Sequence, residues 1–167
     1  MTRKIGGAEL GGTDLHVISV TPVLTNSTDN DYASGDFVGT SLTVMTFAGV
    51  VDSNGRSGIV EGCTLVDATT TAVAGELWLF DTLFTPSTSD SVAWTVTDAI
   101  METSIGIVPF ATYYSSAANC TANGVPATPL HFKCGASVND LYGVFVTRGT
   151  PDYAIDSLTF RLRTRET

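Results

Sequence analysis

Apolar positions along this chain recur with a period of two, in short runs separated by polar turns, and that periodicity predicts strands. The most apolar and aromatic run is Gly75-Glu76-Leu77-Trp78-Leu79-Phe80-Asp81-Thr82-Leu83-Phe84, with Gly75 opening it and Pro86 just beyond it. As a strand it sets Leu77, Leu79, Asp81 and Leu83 on one face and Glu76, Trp78, Phe80 and Thr82 on the other. Large apolar groups on both faces predict a central strand covered on both sides. One face would meet the core, and the face with Trp78 and Phe80 would meet a partner. A short buried helix satisfies the same run, since periodicity alone does not separate the two; the Gly and Pro brackets favour the strand.

The rest of the chain reads as strands around this one. Residues 14–24 alternate Leu15, Val17 and Val23 against Ile18 and Val20, with Pro22 marking an edge or a bulge. Residues 41–47 and 59–66 follow, joined through Asn54-Gly55, a hairpin-type dipeptide. One short helix is predicted within 94–103, opened by Thr97, Asp98 and Ala99. Residues 104–110 form a strand ended by Pro109, residues 115–128 a loop, and residues 129–134, 140–147 and 156–165 the last strands. About eight strands and no helix of crossover length predict an all-β fold: an antiparallel jelly-roll or β-sandwich with one short helix. The Gly-rich residues 1–13 are expected to be a flexible arm that orders, if at all, on a neighbour, and residues 14–167 a single domain.

Composition changes this picture in one respect. Only 15% of residues are charged and mean hydropathy is +0.21. Thr, Ser and Gly take the place of surface Lys and Glu, which suits a β-rich protein much of whose surface is covered in an assembly; a Thr-rich monomeric sandwich is the alternative. The net charge is −9, unevenly placed. Between Ile5 and Phe160 lie 16 of the 17 acidic residues but only three of the eight basic ones, Arg56, Lys133 and Arg148. An acidic body repels nucleic acid, so none is expected as a partner. No segment has the length and apolarity to span a membrane. Cys63, Cys120 and Cys134 are odd in number and form no CxxC, which leaves buried free thiols as the expectation.

The chemistry-bearing motifs are missing: no GxSxG, no HExxH, no GxGxxG and no GK[ST] occurs. His16 and His131 are expected to be structural, and no catalytic, cofactor-binding or metal-binding residue is assigned. Asp29 and Asp31 share a loop that could hold calcium, although such turns usually bond their own backbone. Carboxylates distant in sequence would leave a hydrolase unrecognised. The most directional feature is the ladder Arg161, Arg163 and Arg165, which period two places on one strand face opposite Leu158, Phe160 and Leu162. Three cations in a row repel unless something acidic faces them. The acidic body of a neighbouring copy would do so; a solvated, aggregation-blocking edge is the plainer reading.

Several stretches together resemble a family of tailed-bacteriophage virion proteins. They are Tyr32-Ala33-Ser34-Gly35-Asp36-Phe37-Val38-Gly39, Gly75-Glu76-Leu77-Trp78-Leu79-Phe80-Asp81, Thr95-Val96-Thr97-Asp98-Ala99 and Ile105-Gly106-Ile107-Val108-Pro109-Phe110. Leu141-Tyr142-Gly143-Val144-Phe145-Val146-Thr147-Arg148-Gly149-Thr150-Pro151-Asp152-Tyr153 and Leu158-Thr159-Phe160-Arg161-Leu162 complete the pattern. The likeness rests on order and spacing from Val17 to Leu162. It implies a jelly-roll cement or decoration protein on the outer capsid surface, a homo-oligomer, most simply a trimer, bound to the major capsid protein. It supplies no catalytic residues. The Arg-rich last strand is not typical of that family; the expected interface residues, Arg161, Arg163, Arg165, Trp78 and Phe80, come from the strand pattern and the charge placement instead. The rival is a tail- or fibre-associated module that stacks host-surface glycan on Trp94, Tyr113 and Tyr114.

Overall fold

The computed structural model describes residues 14–24, 32–39 and 43–167, together with the backbone of 4–5 and 8–9. In chain order the strands are β1 (Lys4–Ile5), β2 (Ala8–Glu9), β3 (Leu15–Val20), β4 (Phe37–Val38), β5 (Met45–Phe47), β6 (Ser57–Asp67) and β7 (Gly75–Phe80). Helix α1 (Asp98–Met101) precedes β8 (Ser104–Phe110), β9 (Tyr113–Ser115), β10 (Cys120–Gly124), β11 (Leu130–Lys133), β12 (Leu141–Thr147) and β13 (Leu158–Glu166).

Eleven of these strands form two antiparallel sheets. One has the order β3-β13-β6-β10-β9, with β11 also on β6; the other has the order β4-β12-β7-β8, with β5 also on β12. The fold is therefore an all-β antiparallel sandwich, with more strands than the eight expected because several are only two or three residues long. The helix falls where expected, capped by Thr97, whose side chain accepts from the Ile100 amide.

Alternation explains the core. Leu158, Phe160 and Leu162 of β13 and Val60, Cys63 and Leu65 of β6 point inward from one sheet. Leu77 and Leu79 of β7 with Leu141 and Phe145 of β12 meet them from the other. Phe145 and Phe160 join the layers across 5.0 Å, and Phe110 packs edge-on against both. Gly75 lies where a Cβ would sit 2.2 Å from the Phe145 ring, which explains a glycine at the head of β7.

Three expectations are corrected. The Asn54-Gly55 turn is not a hairpin. β5 and β6 lie in different sheets, so residues 48–56 cross between layers, tied by the Gly55 amide to the Val138 carbonyl. Residues 115–128 are not a continuous loop: Cys120–Gly124 is a strand in five-residue register with β6. Pro109 does not end its strand but lies within β8, at the edge of its sheet, where a missing N–H is tolerated. In the N-terminal segment β1 and β2 pair, Lys4 with Glu9 and Ile5 with Ala8. The expected arm 1–13 and the Asp29/Asp31 loop otherwise lie outside the described residues.

Candidate functional site

The five residues expected at an interface divide between two opposite surfaces. β13 belongs to one sheet and β7 to the other, and both present these side chains away from the shared core. No single flat contact can use them all.

On β7 the outer face is already occupied by the chain itself. Phe80 is 0% exposed and packs with Phe37, Val44, Tyr142, Val144 and Val146, a second apolar cluster completed by Trp78, Phe84, Trp94 and Ile100. The covering segment is stitched down by main-chain bonds: the Phe37 amide to the Val92 carbonyl, the Ser91 amide to the Phe37 carbonyl and the Trp94 amide to the Gly35 carbonyl. Asp90 accepts from the Tyr32 hydroxyl at 2.7 Å and from the Gly39 amide at 3.1 Å. The segment after β7 thus plays the part expected of a partner, because an apolar sheet face is as well buried by a loop of the same chain as by another molecule.

One groove on this side, of about 560 Å³, is lined by Gly35, Trp78, Trp94, Met101, Val146 and Arg148 among others. Trp78 donates from Nε1 to Glu76 Oε2 at 3.1 Å, and Arg148 pairs with the same oxygen. The Arg148 guanidinium holds the Glu76 carboxyl below its ordinary range. Trp94 stacks on Phe37 at 5.8 Å, yet its buried Nε1 has no hydrogen-bond partner. Tyr113 and Tyr114 are not here. Tyr113 packs under the other sheet and donates to the Val73 carbonyl, while Tyr114 stands 66% exposed on β9. The aromatic set is therefore Trp78 with Trp94, and Trp94 is half-buried, not exposed.

On the opposite surface the arginine ladder stands as alternation requires. Register sets Arg161 opposite Ser19, Arg163 opposite Val17 and Arg165 opposite Leu15. Leu15 is 58% and Val17 49% exposed, so cations and aliphatic side chains share one face. Arg165 Nε lies 3.0 Å from Glu61 Oε1, and Arg163 donates to Thr64 Oγ1 at 2.9 Å. Arg161 has no ion pair among the described residues. A shallow groove of about 450 Å³ continues this face past Ile59, His131 and Val125.

A third grouping escaped sequence reasoning. His16, Asp52 and Glu166 come within 4.8 Å of one another through their ligand atoms. Residues this far apart in the chain leave no local spacing signal. All three cysteines are buried and unpaired, and burial pushes the Cys63 thiol up to about 12 and Cys134 up to about 11. No helix among the described residues is long and apolar enough to cross a membrane. No family model, curated protein or solved structure matches the chain.

Proposed function

We propose that this chain is a non-catalytic assembly protein of a virion: a jelly-roll-type cement or decoration subunit that binds the outer capsid surface as a homo-oligomer, most simply a trimer. The observation that carries the reading is the outer face of β3 and β13, where exposed Leu15 and Val17 alternate with Arg161, Arg163 and Arg165. Such a face couples apolar burial to positive charge on a chain whose net charge is −9. It fits the acidic body of a second copy or an acidic strip on the major capsid protein. Each contact can be weak, because repetition over a shell multiplies it. The resemblance to phage virion proteins supplies the capsid as the partner. Purified protein mixed with undecorated shells should saturate them at a fixed multiple of three copies per lattice site. Protein that stays in the supernatant and is found in isolated tails would replace this reading.

One observation favours a second reading, a glycan-binding module. The groove is lined by Trp78, Trp94 and Arg148, and Trp94 carries a buried N–H without an acceptor. A sugar hydroxyl would satisfy that donor, and aromatic faces commonly carry ligand contact. Loss of glycan-array binding on Trp94→Ala, with shell binding intact, would assign the groove this role.

A further inference from the structure

β3 starts the inward-facing side of its strand with His16, opposite Thr164 in β13. Thr164 is buried and donates to the Val50 carbonyl, which draws the 48–56 crossing turn against the sheet edge. Asp52 on that turn lies with its Oδ1 3.6 Å from His16 Nε2. Glu166 closes the group: its Oε2 accepts from the Asp52 amide at 2.9 Å, and its Oε1 from Arg56 Nε at 2.6 Å. The Asp52 amide bond and the Arg56 guanidinium hold the Glu166 carboxyl below its ordinary range. His16 Nε2 is buried and has no hydrogen-bond partner.

We propose that His16, Asp52 and Glu166 bind one divalent cation of the zinc class. An imidazole nitrogen kept from water without a hydrogen-bond partner is costly unless it is protonated, bonded or ligating. One nitrogen and two carboxylates form a borderline donor set that suits zinc, where calcium wants oxygen alone. Zinc–ligand bonds of about 2.0–2.2 Å put tetrahedral ligand atoms roughly 3.4 Å apart. The His16–Asp52 separation is close to that already. The widest separation, 4.8 Å at most, must close by no more than roughly 1.4 Å. Asp52 is exposed on a turn and has room to make that move, and its open side leaves space for water. The Arg56 guanidinium opposes the ion through Glu166, so affinity is modest and rises if Arg56 is neutralised. Bound metal would tie together β3, the turn between the sheets and the last strand of the domain.

The test is calorimetric titration of the full chain, freed of metal with a chelator, using zinc alone and then calcium alone. Melting is followed with and without zinc. Zinc should bind at one equivalent and raise the melting temperature, and calcium should do neither. His16→Gln and Asp52→Asn should each weaken zinc by more than about tenfold, the loss typical even of changes outside the ligand shell. His131→Gln should leave binding intact, and Arg56→Gln should tighten it. Asp52 is exposed, so metal-free Asp52→Asn should melt like the parent and keep the test independent of folding. No zinc binding up to about 1 mM would overturn the proposal. So would binding that survives His16→Gln or Asp52→Asn, or that fails to tighten in Arg56→Gln.

Discussion

Phe80→Ala separates the two ways of covering the outer face of β7. Phe80 is fully buried, its ring 4.7 Å from the Phe84 ring in an edge-on contact, among Phe37, Val44, Tyr142, Val144 and Val146. Truncation removes the transfer free energy of the ring and leaves a cavity that the hydrogen-bonded segment from Ser91 to Trp94 cannot collapse into without breaking its bonds to Gly35 and Phe37. Phenylalanine-to-alanine changes at such sites cost about 3–5 kcal/mol, a large share of the roughly 5–15 kcal/mol that holds a domain together. For a chain of this length that corresponds to a fall in melting temperature of roughly 6–20 °C. Urea unfolding at low protein concentration, where no oligomer persists, reads the effect directly. If Phe80 were an interface residue, the dilute protein would lose less than about 1 kcal/mol and only the assembly would weaken. That result would refute the packing described for residues 81–103.

Glu166→Gln should remove part of the acid sensitivity of folding. The folded-state pKa lies below the unfolded one, so the group's stabilisation is full above the ordinary glutamate range and is lost as the pH falls through the lower folded value. The urea midpoint of the variant, measured metal-free, should fall at neutral pH and vary less on the acid side; an unchanged acid limb would argue against the Asp52 and Arg56 contacts. Gly75→Val should unfold the protein or cost more than about 3 kcal/mol, because even its Cβ meets the buried Phe145 ring; a normally stable variant would contradict the register of β7 on β12. The three buried thiols should resist alkylation at neutral pH in the native state and react fully in denaturant; fast native labelling of Cys63 would contradict its burial.

Much of the architecture was legible because strands buried on one face keep a strict period. β13 follows the alternation residue for residue, with Leu158, Phe160 and Leu162 inward and Arg161 and Arg165 outward, whereas β12 is buried on both faces, Leu141 and Phe145 in one apolar cluster and Tyr142, Val144 and Val146 in the other. β10 was not legible: Cys120-Thr-Ala-Asn-Gly carries no bulky side chain, and Asn-Gly imitates a turn. Its strand state comes from pairing with the long β6, a tertiary cause that local propensity does not register. The Asn54-Gly55 turn misled in the opposite sense, since a tight turn says nothing about whether its flanks share a sheet. The second apolar face of β7 was read correctly as covered, but sequence does not say whether the cover is another chain or a loop of this one. The arginine ladder was visible because it is local in sequence; the His16, Asp52 and Glu166 group was not, because only the β3–β13 register and the crossing turn bring it together.

The central claim is that the β3–β13 face carries assembly. The most direct measurement is co-sedimentation with undecorated shells of the native protein, the Arg161→Glu/Arg163→Glu/Arg165→Glu variant and Trp94→Ala, with bound copies counted per shell. The account predicts that the charge-reversed protein, folded by its melting curve, leaves the shells nearly bare, while Trp94→Ala saturates them like the parent. Full occupancy by the charge-reversed protein, or loss of occupancy with Trp94→Ala alone, would contradict it.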